Sequence, residues 1–274
     1  MGQRIKTVVF PVAGLGSRLW PLTASIPKEM LPVYDKPLIH YAVQEAIEAG
    51  YEKFIFITSG YKKSLEDYFD TDFLSHQIKD TGKSELISSL KEQLPGLDKV
   101  FFVRQGSSKG LGHAIGCAKN LVDEEYFAIV SPDDFIVHDK GCLQQMTELF
   151  EKAPGQLLAT MEVEPQDVSK YGILAFSKHY KRHSLVHSMI EKPSMQSAPS
   201  QDAIIGRYIL HRDIFSLIEK QEAGFGDEIQ LTDAIAKSLP SQTTYGYRFE
   251  GIRFDCGQID GLADATMFMR NKIK

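Results

Sequence analysis

The 274 residues, 43% hydrophobic and 24% charged, suffice for a sizeable core, either one large domain or a core with an attached lobe. Usage of 21 glycines and 12 prolines is ordinary and excludes fibrous repeats and a disordered chain. The net charge of −5, from 31 Lys and Arg against 36 Asp and Glu, argues against a nucleic-acid partner and leaves a small-molecule site as the expectation.

The start, Met1-Gly2-Gln3-Arg4-Ile5-Lys6, has no apolar leader. Nowhere do about 18 apolar residues run together, so no membrane partner is expected. Cys117, Cys142 and Cys256 are odd in number and lack Cys-x-x-Cys spacing, which points away from disulfides and thiolate zinc. A cytoplasmic location is the expectation.

Lys6 to Phe10 is β-branched and aromatic and predicts a buried strand, closed by Pro11 and a glycine-rich turn. Apolar residues at helical spacing predict a helix over 38–49, stopped by Gly50. Strands follow at Phe54 to Ile57, Val100 to Val103 and Tyr126 to Val130, with a helix from Gly112 to about Leu121. Residues 75–98 read as a polar helical insertion. From Pro154 the strand-like runs crowd together: Leu157–Val163, Gly172–Phe176, Val186–Ile190 and Ile204–Leu210. Residues 193–202 read as an exposed loop, and a helix is expected from near Asp233, with Asp227 and Thr232 as caps. Ile259 to about Ile273 has helical spacing. The class expected is α/β: a Rossmann-like, mixed but mostly parallel central sheet with helices on both faces, plus a small antiparallel lobe. Sites in such sheets lie beyond the carboxyl ends of the strands, which here carry Ala13-Gly14, Gln105 and Asp133.

Three sets of residues carry chemistry. Val12-Ala13-Gly14-Leu15-Gly16-Ser17-Arg18, followed by Lys28, joins glycines that let backbone N–H groups approach phosphate oxygens to two fixed positive charges, a polyphosphate cradle. It is no P-loop, and Leu19 stands where a dinucleotide fingerprint needs its third glycine, which disfavours a nicotinamide dehydrogenase. The plainer alternative is a tight strand-to-helix turn with Arg18 and Lys28 on a solvated face. Asp133, after an apolar strand, offers hard oxygen to Mg²⁺ bridging phosphates, or else caps a turn. Gln105 offers both a donor and an acceptor at a strand end, or is a surface residue. Cys256 has no evident His partner, so nothing supports a nucleophilic cysteine.

The string from Val12 to Arg18 and Pro27-Lys28-Glu29-Met30-Leu31-Pro32-Val33 resembles the sugar-phosphate nucleotidyltransferases, in particular the bacterial enzymes that join UTP to glucose 1-phosphate. The resemblance runs on through Arg104-Gln105-Gly106, Lys109-Gly110-Leu111-Gly112-His113-Ala114, Pro132-Asp133, Tyr171-Gly172, Glu191-Lys192-Pro193, Gly206-Arg207-Tyr208, Gly226 to Ala234 and Asp255-Cys256-Gly257. It implies the nucleotide-diphospho-sugar transferase fold as a single domain over 1–274, with 1–153 binding nucleotide, 154–258 binding sugar phosphate and 259–274 forming a C-terminal helix.

The same resemblance implies that UTP and α-D-glucose 1-phosphate give UDP-glucose and pyrophosphate by Mg²⁺-dependent in-line displacement at the α-phosphorus. Arg18 and Lys28 would act on the triphosphate and Lys192 on the sugar phosphate. Ala13, Gly14, Leu15, Gly16, Ser17, Glu29, Gln105 and Gly110 would bind nucleotide. Asp134, Gly172, Glu191 and Lys192 would bind sugar, and Asp133 and Asp255 would hold the metal. A homodimer or homotetramer is expected, although the chain is shorter at its C-terminus than many relatives. The alternatives are a thymidylyltransferase for the same sugar phosphate and a non-catalytic nucleotide-sugar-binding regulatory homologue. Thr23-Ala24-Ser25-Ile26 departs from the family, which commonly has a lysine there.

Overall fold

The computed structural model describes residues 4–77 and 84–273. Residues 78–83, within the expected polar insertion, lie outside that description.

Strand β1 (Thr7–Pro11) opens the chain, followed by the two-residue strands β2 (Pro32–Val33) and β3 (Lys36–Pro37), helix α1 (Leu38–Glu48), β4 (Lys53–Thr58), and helices α2 (Lys63–Phe69), α3 (Thr71–Gln77) and α4 (Ser84–Gln93). Next come β5 (Val100–Arg104), α5 (Leu111–Gly116), β6 (Tyr126–Val130), β7 (Asp134–Val137), α6 (Cys142–Lys152) and β8 (Gln156–Glu162). The remainder is β9 (Gly172–His179), β10 (His183–Glu191), β11 (Asp202–His211), α7 (Ile214–Glu219), α8 (Leu231–Ser238), β12 (Thr244–Arg248), β13 (Ile252–Asp255) and α9 (Ile259–Ile273).

The strand period of two divides the apolar side chains between two cores. Val8 and Phe10, Phe54 and Phe56, and Ala128 and Val130 face one side, with α1 over them. Val9, Ile55 and Ile57, and Phe127 and Ile129 face the other, against residues of α5, α7 and α8. Burial on both faces is why these strands read as continuous apolar runs rather than alternating ones.

The large sheet runs β5-β4-β1-β6-β11-β8-β12-β10-β9. Its first four strands are parallel, as their intervening helices require. The expectation of a mixed but mostly parallel sheet is corrected beyond β6, where antiparallel pairings prevail and the strands expected to form a small antiparallel lobe continue the sheet itself. Only β8 and β12 run parallel there. β9 and β10 are joined by the short turn at 180–182, which permits only antiparallel return. These strands extend the same sheet, and pairing of Ala203 with Ile173 brings β9 back to β11, closing β11, β8, β12, β10 and β9 into a small ring.

A third cluster seats α9. Val33, Leu38, Phe135 and Cys256 pack with Ala265 and Met269, so the helix covers the β7–β13 ladder, in which Asp134 faces Asp255. The helix expected over 112–121 is shorter: α5 ends at Gly116, where Ile218 approaches closely, and a 3-10 turn follows at Lys119–Leu121. The helix expected near Asp233 begins at Leu231, with no side-chain cap. Asp227 lies in a preceding turn and Thr232 inside the helix, so neither caps it. Among the described residues no helix is long and apolar enough to cross a membrane.

Candidate active site

The carboxyl ends of β1, β4, β5 and β6 point the same way, so the segments that follow them meet at one edge. After β1 the chain turns at Gly16 (φ 69°), whose carbonyl accepts the Thr23 hydroxyl at 2.8 Å. A Cβ there would stand 3.1 Å from that of Lys28, so glycine is needed for its dihedral and for the packing. Ala13 is buried, whereas Gly14, Leu15, Ser17 and Arg18 are exposed. Leu15 and Trp20, each 62% exposed, line a cleft of about 320 Å³ with Thr23, Ile26, Tyr61 and Lys62.

Lys28 Nζ donates to Asp133 Oδ2. Burial pushes the lysine down, but Asp133 and Glu29 outweigh it and hold it above its ordinary pKa. Burial likewise pushes Asp133 up, yet Lys28 and Arg18 bring it below the usual carboxylate range. Both groups are therefore charged at neutral pH. A Cβ on Gly257 would stand 3.1 Å from Asp255 Oδ1, 3.3 Å from Asp133 Oδ2 and 3.5 Å from an Arg18 guanidinium nitrogen. The loop after β1, the end of β6 and the end of β13 thus converge on a small space that glycine leaves open.

Two carboxylate oxygens beside that space suit Mg²⁺, which takes one or two carboxylates and completes its shell with water and phosphate oxygens. Among the described residues no three His, Cys, Asp or Glu side chains form a metal-holding group, so a cation here would need the oxygens of a ligand. Cys256, next in the chain, is buried, and burial together with Asp133 and Asp255 pushes its thiol up to about 12. A thiolate nucleophile is unfavourable there.

Beyond β5, Gln105 is only 8% exposed, and its backbone N–H donates to Thr58 O at 2.8 Å. Gly110 has φ 93°, and a Cβ on it would lie 2.8 Å from Ile229 O, so the segment 105–112 sits tightly on residues 228–230. Glu29 is 0% exposed and accepts from Lys62 Nζ at 2.6 Å through Oε2, while Oε1 is buried without a hydrogen-bond partner. Ser59 Oγ, after β4, is likewise buried and unpartnered. Burial raises the Glu29 pKa and lowers that of Lys62, each partly countered by the other's charge.

A second cluster forms where β9, β10 and α8 meet. Glu191 Oε2 accepts the Thr232 hydroxyl at 2.7 Å, and a Cβ on Gly172 would lie 2.9 Å from that same oxygen of Thr232. Lys192 takes φ 46°, its N–H donates to Tyr171 O at 2.9 Å, and its Nζ lies 3.6 Å from Glu191 and 5.3 Å from the Phe225 ring centroid. Asp134 is engaged on both oxygens, by the Gly206 N–H at 2.9 Å and by Arg253 Nε at 2.7 Å. The two clusters are neighbours: burial and then the charges of Asp134, Glu191 and Asp133 together raise the Tyr208 hydroxyl on β11.

Arg18, Lys28, Asp133 and Asp255 are thus brought together, as are Gly172, Glu191 and Lys192. Lys62 and Arg253 escaped sequence reasoning. A lone lysine four residues past a strand reads as a solvated charge, although its place at the carboxyl edge of β4 was a usable signal. Arg253 stands within a strand that reasoning from sequence did not find.

The nucleotidyl transferase family pattern matches residues 8–272. A UTP–glucose-1-phosphate uridylyltransferase of Pseudomonas aeruginosa is 44% identical over 96% of this chain and 95% of its own. Among solved structures, a UDP-glucose pyrophosphorylase complexed with UDP-glucose is 40% identical with a TM-score of 0.87, covering 98% of this chain and 100% of that one. A UTP-bound enzyme of the same name from Acinetobacter baumannii is 36% identical with a TM-score of 0.87, over 97% and 93%.

Proposed function

The chain belongs to the nucleotidyl transferase family, and from that premise we propose that it is a UTP–glucose-1-phosphate uridylyltransferase, making UDP-glucose and pyrophosphate from UTP and α-D-glucose 1-phosphate. The observation that carries the reading is the convergence of Arg18, Asp133 and Asp255 about Gly257, with Lys28 bonded to Asp133. Cations and carboxylates placed together suit two anionic substrates and a metal-borne triphosphate better than a neutral ligand.

A phosphate oxygen of the sugar phosphate attacks the α-phosphorus in line, the bond to the β-phosphate oxygen breaks, and pyrophosphate carries away that electron pair. The nucleophile is already anionic, so no general base is needed. Arg18 and Lys28 neutralise the triphosphate, and the N–H groups of the 13–17 loop cradle it. Lys192 neutralises the sugar phosphate while Glu191 and the Gly172 backbone hold the glucose. Asp134, held by Gly206 and Arg253, braces that side. Gln105, Gly110, Ala13, Gly14 and Glu29 read the uracil. Asp133 and Asp255 hold Mg²⁺, which when bound neutralises phosphate charge as a Lewis acid.

Pyrophosphate release from glucose 1-phosphate, measured with UTP, dTTP, ATP, CTP and GTP, each with Mg²⁺ and with EDTA, tests the reading. Release that is fastest with UTP and abolished by EDTA is expected. Preference for dTTP would convert it to a thymidylyltransferase, and no release with any nucleotide from folded protein would leave a regulatory homologue.

A further inference from the structure

Within Gly110-Leu111-Gly112-His113-Ala114, the histidine has no role in the chemistry described so far. Its Nδ1 lies 2.8 Å from Gln105 Nε2, and the same Nε2 lies 3.4 Å from the Gly110 carbonyl oxygen. A carbonyl only accepts, so the nitrogen of the Gln105 amide must be the atom facing Gly110; the flipped amide would set two oxygens against each other. With Nε2 placed there, its other hydrogen meets His113 Nδ1, which must then accept. The imidazole is accordingly neutral with its proton on Nε2, and burial and Lys109 both favour the neutral ring. Both amide hydrogens are committed, and Gln105 has only Oε1 left to offer a ligand.

We infer that His113 is a positioning residue that acts with the Gly110 carbonyl to hold the Gln105 amide with Oε1 toward the base, so that the site presents an acceptor to the pyrimidine and selects uracil against cytosine. The inference deepens the uridylyltransferase reading and rests on its assignment of Gln105 to the base. Uracil carries a donor, N3–H, where cytosine carries an acceptor. An Oε1 held toward that atom bonds the first and repels the second. With only the long 3.4 Å contact to the Gly110 carbonyl left, Gln105 would flip more readily and offer its NH₂ to cytosine N3, and the preference would fade. Thymine has the same edge as uracil, so discrimination against dTTP is outside the reach of this device, and CTP is the informative competitor.

The test compares kcat/KM for UTP and CTP in wild type, His113→Leu and His113→Asn, with circular dichroism and thermal midpoints to show folding. The Asn amide oxygen can replace Nδ1 as acceptor. In His113→Leu the UTP-to-CTP ratio should fall roughly tenfold, the worth of one buried polar mismatch, through KM for UTP with kcat little changed. His113→Asn should restore most of the ratio. An unchanged ratio in His113→Leu, or equal loss in both variants, overturns the inference. In the wild-type protein the long-range ¹H–¹⁵N spectrum must show His113 Nδ1 unprotonated, and a proton on Nδ1 overturns it without any variant. A wild type that itself fails to prefer UTP over CTP refutes the uridylyl reading instead.

Discussion

Lys62 stands only 3% exposed against a Glu29 that is wholly buried. Removing one partner of such a pair costs more than the pair contributes, because the remaining charge keeps its desolvation penalty without its counter-ion. Lys62→Met should therefore lower stability by about 3–5 kcal/mol, read as a lower urea midpoint, with the Glu29 carboxyl pushed further above its ordinary pKa because burial then acts without the lysine's charge. Glu29 Oε1 would then lose its fixed position, and KM for UTP should rise. Asp133 presents the opposite case, for its partner Lys28 keeps other company in Glu29. Asp133→Asn should leave the thermal midpoint within a few degrees while lowering kcat on the order of a hundredfold or more, and near-normal turnover would remove Asp133 from the metal and phosphate chemistry. The two substitutions separate a residue that supports the site from one that acts in it.

At the scale of elements, the end of β13 shows how packing holds a proposed metal ligand in place. Gly261, in the first turn of α9, lies so close to Asp255 that a Cβ would come within 2.1 Å of its carbonyl oxygen. The helix therefore presses directly on the strand end that carries Asp255, with Arg253 two residues before it. Gly261→Ala must push α9 away from β13 and should cost roughly 1–3 kcal/mol as an overpacked contact. The expected signature is a raised Mg²⁺ requirement together with a lower thermal midpoint; an unchanged Mg²⁺ dependence would show that α9 supports the fold alone. The same region shows the limits of local pattern. Tyr126–Val130 and the helix from Leu38 were legible because a fully buried strand and an amphipathic helix announce themselves in consecutive residues. β7 begins at Asp134 directly after Pro132-Asp133, which local chemistry reads as a turn. β12 carries Gly246 in its middle because the Phe176 ring occupies the place of a side chain, 2.7 Å from where a Cβ would be.

For the whole molecule, β11 is the joint between the parallel strands and the ring, pairing with β6, β8 and β9. Its amides can exchange only when sheet and ring come apart, so they should be the slowest in the molecule, whereas those of the edge strand β5 should exchange through local opening. Hydrogen exchange read by mass spectrometry checks this, and faster exchange in β11 than in β5 would show that the ring opens independently. Sequence could supply the parallel half, since strand and helix alternate there in consecutive order. It could not supply the closure, which depends on Ala203 meeting Ile173 thirty residues away through a register that no local pattern encodes. The candidate site follows the same division. Glycines, cations and carboxylates at strand ends marked the proposed phosphate side from within single segments. The Glu29–Lys62 pairing and the Arg253 brace arise only where separate segments meet.

Trp20 is the chain's single tryptophan. It stands at the rim of the cleft beside the glycine-containing loop after β1, in the company of Leu15 and Lys62. All indole emission therefore comes from one place on the protein. Its colour registers local hydration, so a nucleotide settling onto the loop would be visible in the unlabelled protein as it arrives, making the timing of arrival separable from the timing of chemistry.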